Sequence, residues 1–251
     1  MAKKALTNLW EKAGIPHFSD GSANSLAASM KVSGIDISMV SRITTRSDQV
    51  KYIHRWLKGI HQAGIMPMAT WHPDLPVDND SMEKLKNQGF TCVKLHPDYQ
   101  GFYVDERRMF PFYEAAEAAG MPVLFHAGLD QGLPPPLHAP PNKLIVVHRN
   151  FPGLKMIAAH MGGEDNYEET ERYLLGEDIY LDTSFVLRVM PMRTLRRFIK
   201  KHSVERILFG SDSPWKDQAL ELDYLLSLTF LSEDDKEKIA GRNATDLLGL
   251  V

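Results

Sequence analysis

Residues 91–98, TCVKLHPD, carry the reading that decides the fold: a short apolar run ending in a lysine, a histidine and a proline turn. Because side chains alternate across a strand, Cys92, Lys94 and His96 share one side of it, and by the same count Leu124 goes with His126, Ala158 with His160, and Gly210 with Asp212. The same design returns along the chain. Apolar or β-branched runs lie near 35–42 (IDISMVSR), 65–70 (IMPMAT), 91–96 (TCVKLH), 121–126 (MPVLFH), 154–160 (LKMIAAH), 178–182 (DIYLD) and 205–210 (ERILFG). Stretches with helical spacing fall at about 22–33, 47–63, 80–88, 109–119, 141–150, 164–175 and 190–202, each with apolar positions three or four apart. Strict alternation predicts an α/β fold with a parallel sheet and helical crossovers.

An open doubly wound sheet and a closed (β/α)₈ barrel both satisfy that alternation, so the polar residues decide between them. WHPD (71–74), KLHPD (94–98), HAG (126–128), HMGG (160–163), DTS (182–184) and SDSPW (211–215) all follow the carboxyl ends of runs. Six strands thus aim chemistry at one face, as a TIM barrel does. The glycine-rich phosphate loop that follows the first strand of many open sheets is missing. No linker or composition shift marks a second domain, so residues 1–251 read as one barrel domain. GLDQGLPPPLHAPP (128–141) is a long proline-rich loop at the site face, either a lid or pocket wall or a rigid connector.

Of the 251 residues, 43% are hydrophobic and 24% charged, enough apolar content to build a large core and to exclude disorder. The net charge of −3 gives no reason to expect a nucleic-acid or anionic-membrane partner, which leaves a small-molecule substrate. A single cysteine, Cys92, cannot form an intramolecular disulfide, and this fits a reducing cytoplasm. The lysines near the start are not followed by the apolar stretch of about 7 to 15 residues that export requires. No run approaches the roughly 18 apolar residues that span a bilayer.

Histidine and carboxylate side chains on neighbouring strand ends can converge on one divalent ion, and His126, His160 and Asp212 are placed to do so. The glycines after His160 would let backbone pass close to a substrate. Asp212 lies between two serines beside Trp215, a candidate aromatic wall; the competing reading makes Asp212 or Ser213 a helix N-cap with Pro214 at the first helical position. A lysine at the strand tip, Lys94, must be paired, carbamylated into a metal ligand, or used to hold a substrate carboxylate. His72 and His96 each precede proline and either shape loops or touch substrate.

Taken in order, KLHP, FHAG, AHMGG, YLDTS and FGSDSPW resemble the amidohydrolase-related family of metal-dependent TIM-barrel hydrolases, which also contains nonoxidative decarboxylases. The resemblance runs from about His17, in HFSDGS (17–22), to the C-terminus. It implies a divalent metal, usually zinc, held by an HxH pair on strand one, a histidine on strand five and an aspartate on strand eight, with a strand-six histidine helping to activate water. Carried over, His126 and Asp212 become ligands, and His160 joins the metal centre. No HxH occurs, and no strand precedes the helix expected over residues 2–13. The seven runs therefore count as strands two to eight, with the chain starting inside the helix after strand one. A misplaced start or a truncated chain would explain this, and codons just upstream would then encode about a dozen residues ending a strand in HxH.

The resemblance implies hydrolysis of a small carboxylate, lactone or amide by metal-activated water, the ion lowering the pKa of bound water from about 15.7 toward 7. Asp212 and His160 would be catalytic, with Lys94, His96 and Trp215 binding substrate. Nonoxidative decarboxylation of an aromatic or unsaturated acid on the same scaffold is the alternative, and a non-catalytic binding or vestigial protein is a third. An absent first strand would leave strands two and eight with bare edges, which predicts a homo-oligomer or a distorted opening between them.

Overall fold

The computed structural model describes residues 6–250 apart from 8, 9, 12, 61 and 79. The helix expected over 2–13 therefore lies partly outside the described residues. Strands β1 (Ser38–Val40), β2 (Ile65–Pro67), β3 (Ala69–Thr70), β4 (Val93–Leu95), β5 (Val123–Phe125), β6 (Met156–Ala158), β7 (Tyr180–Asp182) and β8 (Ile207–Leu208) occupy the seven runs read from sequence. Their number rises to eight because the run 65–70 divides at Met68. Its first part pairs with β1, where Met68 N–H still donates to the Val40 carbonyl at 2.8 Å, and its second pairs with β4. All pairs are parallel, in the order β1-β2 and β3-β4-β5-β6-β7-β8.

Between the strands lie α1 (Ala23–Ser33), α2 (Val50–Lys58), α3 (Ser81–Lys86), α4 (Pro97–Gln100), α5 (Phe110–Ala118), α6 (Pro141–Asn150), α7 (Tyr167–Tyr173) and α8 (Met192–His202). After β8 come α9 (Gln218–Ser227), α10 (Glu233–Glu237) and α11 (Asn243–Leu248). No described helix is long and apolar enough to cross a membrane.

Two apolar clusters separate the inside of the barrel from its wall. Met39, Met68, Cys92, Leu124, Ile157, Tyr180 and Leu208, one from each of the seven runs, pack together as a floor. Ala244, Leu247 and Leu248 of α11 join them and close the N-terminal end of the barrel. The larger cluster, with Val93, Leu95, Val123, Phe125, Met156, Ala158 and Leu181, lies between strands and helices. Side-chain alternation then directs Lys94 and His96 above Cys92, His126 above Leu124, and Asp182 above Tyr180, toward the C-terminal mouth.

One alternation read from sequence is corrected here. Ile157 faces the interior and Ala158 the wall, so His160 falls on the wrong parity to follow Ala158 inward. It reaches the mouth because His160 and Met161 adopt left-handed backbone, φ 59° and 53°.

The barrel is open between β1 and β8, which exchange no hydrogen bond among the described residues. The outer edge of β8 is covered by the chain itself. Phe209 N–H donates to the Ile239 carbonyl at 2.9 Å, and Asn243 Nδ2 donates to the Ile207 carbonyl at 2.8 Å. Across the opening α9 packs on α1, and Gln218 Nε2 donates to Ser38 Oγ at 3.1 Å.

Candidate metal centre

Four buried histidines, His72, His96, His126 and His160, lie at the C-terminal mouth, on the turns that follow β3, β4, β5 and β6. His96 and His126 stack with ring centroids 4.0 Å apart and planes 8° from parallel. His126 Nδ1 lies 3.0 Å from His160 Nε2. His160 Nδ1 lies 2.9 Å from the Ser184 carbonyl and 3.0 Å from Ser184 Oγ.

These contacts fix the protons of the neutral rings. A carbonyl oxygen only accepts, so His160 Nδ1 carries the hydrogen and its Nε2 offers a lone pair. His126 Nδ1–H must then donate to that lone pair, leaving His126 Nε2 as an unprotonated acceptor. It is buried and has no hydrogen-bond partner. Burial pushes His126 well below the ordinary histidine pKa, and the nearby His96, His160 and Lys94 push it further. A bare, buried imidazole lone pair is costly unless something fills it, and a metal ion does.

Two further groups lie beside it. His96 Nε2 is 3.2 Å from Asp130 Oδ2, and the donor atoms of His96, His126 and Asp130 all lie within 4.8 Å of one another. Burial alone would raise the Asp130 carboxyl, but the His96 hydrogen bond and charge outweigh it and hold it low. Burial lowers His96 despite that partner.

Asp182 anchors the other side. Its Oδ1 accepts from His160 N–H and Ser184 N–H, each at 3.0 Å, and from the Ser184 hydroxyl. Lys94 is buried between the fields of Asp182 and Asp212, and burial lowers its pKa against their pull. Of the three fates expected for this lysine, direct pairing is not seen: the two carboxylates act on it through their charge. The Asp212 carboxyl is raised by burial, with His160 and Lys94 opposing.

The structure thus brings Lys94, His96, His126, His160 and Asp212 to one mouth. It does not gather His126, His160 and Asp212 as a donor set: both His160 nitrogens are engaged, and the compact set of three is His96, His126 and Asp130. Asp212 and Ser213 do not cap the next helix. Asp212 has φ 63°, outside the extended region an N-cap uses, and Asp217 caps α9 by accepting from Ala219 N–H and Leu220 N–H. The glycines of HMGG pack on their own fold: a Cβ on Gly162 would meet Thr170 Cγ2 at 2.9 Å. His72 Nδ1 accepts from Asp74 N–H at 3.2 Å and shapes its loop. Trp215 is half-buried against the outer core.

Asp130, Asp182 and Ser184 went unassigned in the sequence reading. Asp130 sits in an aperiodic loop, and Asp182 and Ser184 were visible only as part of the DTS turn.

The amidohydrolase family model matches residues 23–250. No curated protein matches the sequence. Among solved structures, 5-carboxyvanillate decarboxylase from Sphingomonas paucimobilis superposes with a TM-score of 0.73 at 17% identity, covering 89% of this chain and 82% of that one. Dihydroxybenzoic acid decarboxylase from Polaromonas sp. JS666, with bound manganese and the inhibitor 2-nitroresorcinol, gives 0.73 at 20% identity, covering 97% and 93%. The 5-carboxyvanillate decarboxylase of Novosphingobium aromaticivorans, holding manganese and a nitrobenzoic acid, gives 0.71 at 17% identity, covering 90% and 80%. These neighbours overturn the hydrolytic reading: all three are named as decarboxylases, which was the alternative. Two of the three hold manganese, so a divalent metal is supported and zinc in particular is not.

Proposed function

The chain belongs to the amidohydrolase family, and from that premise we propose that it is a metal-dependent nonoxidative decarboxylase of a hydroxylated aromatic acid. The observation that carries this reading is the convergence of three groups on one buried mouth: the free Nε2 of His126, the Lys94 ammonium and the Asp212 carboxyl. The decarboxylase neighbours support the choice of reaction.

His126, through its unpartnered Nε2, would hold the ion. A divalent ion there supplies a Lewis-acidic contact for substrate oxygens. The chain's own residues do the rest. Lys94 is a buried cation with the charge to hold a substrate carboxylate or phenolate. The reaction breaks the bond between ring carbon and carboxylate, releases carbon dioxide, and puts a proton on the same carbon. Asp212 supplies that proton: an acid whose burial favours its protonated form is suited to protonate carbon. His160, tied to Ser184, holds His126 in the required tautomer.

The test is incubation of the manganese-loaded and zinc-loaded protein with 2,6-dihydroxybenzoate, 5-carboxyvanillate and related acids. The expected result is one carbon dioxide per acid consumed, with one deuterium on the ring carbon in D2O. Asp212→Asn should lower turnover at least about 100-fold. Absence of carbon dioxide from every acid in the panel, with metal bound, counts against the proposal.

A further inference from the structure

We infer that the outer face of the barrel carries a second binding site, for an oligophosphate anion, in the groove between α2 and the turn after α3. It lies apart from the mouth and is independent of the reaction proposed above. The groove has a volume of about 350 Å³ and is lined by Lys51, His54, Arg55, Lys58 and Gln88. Every one of these side chains can offer an N–H, and none is a carboxylate. Lys51, Arg55 and Lys58 stand at i, i+4 and i+7, so one stripe of α2 presents three cations over about 10 Å. A single phosphate reaches one or two of them, whereas a short chain of phosphates spans all three.

The fold itself leaves these charges unanswered. Among the described residues none of the three cations forms an ion pair with a carboxylate. Asp48, whose carboxylate feels Lys51, is already clasped by Arg46, with Nε donating to Oδ1 at 2.9 Å. Lys51 Nζ rests instead 5.0 Å from the centre of the Tyr52 ring. Arg55 and Lys58 belong to the last turn of α2 and complement its dipole. Lys51 is the second residue of that helix, where a cation opposes the dipole, so helix stability supplies no reason for it.

His54, three residues on from Lys51, adds a buried donor. It is 8% exposed, and its ring centroid lies 4.9 Å from that of Phe90. Nε2 stands 2.9 Å from the Thr70 carbonyl and 3.2 Å from Thr70 N. A neutral ring can donate to the first or accept from the second, and not both. Burial lowers the His54 pKa and so favours the neutral ring. Nδ1 has no hydrogen-bond partner among the described residues. With hydrogen on Nε2, Nδ1 is a lone pair that repels an anion; with hydrogen on Nδ1, it is a donor. An oligophosphate in the groove therefore selects the second form, in which Nε2 accepts from Thr70 N–H.

Calorimetric titration of the full chain with sodium tripolyphosphate, at fixed ionic strength, tests the site. Wild type should bind one equivalent, at least about tenfold tighter than orthophosphate, because three cations are engaged instead of one or two. Arg55 and Lys58 are exposed and stand outside the catalytic machinery. Arg55→Gln and Lys58→Gln should each weaken tripolyphosphate at least about fivefold, whereas Lys200→Gln, at an exposed position of α8, should change it by less than about twofold. Histidine ¹⁵N spectra should show His54 moving to the Nδ1–H form as tripolyphosphate is added. Binding that survives in both groove variants puts the anion elsewhere and overturns the proposal, as do an equal loss in Lys200→Gln or an unmoved His54 signal. Vesicles of equimolar phosphatidylcholine and phosphatidylserine form the last arm. Cosedimentation that depends on Arg55, without tripolyphosphate binding, makes the stripe a membrane contact and overturns the proposal as well.

Discussion

The histidine pair His126–His160 works because of a residue that touches neither ring directly. Asp182 Oδ1 gathers His160 N–H, Ser184 N–H and the Ser184 hydroxyl, and so sets the Ser184 carbonyl that receives the His160 proton. Asp182→Ala should release that carbonyl, mix the tautomers of His126 and weaken ion affinity about 10- to 100-fold, the usual size of an effect exerted through a ligand's support. Asp182→Asn, which keeps an oxygen at the Oδ1 position, should largely restore both. Histidine ¹⁵N resonances of the metal-free protein report the tautomer directly, and an unchanged His126 signal in Asp182→Ala would count against this relay. Much of the site was legible residue by residue. His126 and Lys94 end apolar runs, where alternation assigns a side. His160 was found by its place in the run but given the wrong parity, because a left-handed backbone at φ 59° cannot be read from spacing. Asp130 was invisible as the partner of His96, since a loop has no period to place it.

At the scale of elements, the turn after β5 shows how closely the site depends on backbone fit. Gly128 has φ 83°, and a Cβ there would lie 2.3 Å from Glu164 N and 2.5 Å from Glu164 O. Leu129 N–H donates to the Glu164 carbonyl and Glu164 N–H to the Ala127 carbonyl, welding the loop to the turn after β6. Gly128→Ala should therefore cost more than about 2 kcal/mol, combining a left-handed backbone with contact against main chain that cannot step aside. Urea unfolding measures it, and a midpoint equal to wild type would contradict the argument. The elements themselves were legible in sequence. The stretch 141–150 is a helix over its whole length, and 47–63 contains the shorter α2, because helical spacing locates a core face better than it locates an end. The competing reading that put a helix N-cap at Asp212 or Ser213 fails, because α9 starts at Gln218 with Asp217 as its cap. The break at Met68 was also missed, because the change of pairing partner within IMPMAT leaves no mark in the spacing.

For the whole molecule, the consequence of an open barrel is that the β1 and β8 sides are joined by side chains and helices instead of a ladder. The edge argument anticipated the opening, but not that residues 239–243 would cover the edge of β8. On the inner face of α9, Gln218 reaches Ser38, yet its Oε1 and the Glu221 Oε2 are buried without partners. Glu221 is 1% exposed and its closest cation, Arg188, stands 3.8 Å away. Burial raises its carboxyl from the ordinary 4.5 to about 6, against the opposing pull of Arg188. An acid that holds its proton more tightly when folded favours the native state fully below its unfolded pKa, and that advantage is lost as pH rises through the folded value. Stability should thus decline between about pH 4.5 and 6.5 by up to about 2 kcal/mol from this group alone. Glu221→Gln removes the charge while keeping the shape. It should flatten that part of the profile, leave stability near pH 4 almost unchanged, and raise it at pH 7.5 by about 1–2 kcal/mol. Urea midpoints across this range decide the matter: a variant less stable than wild type at pH 7.5 would mean that the Arg188 contact outweighs burial, and that Glu221 helps close the opening as an ion pair.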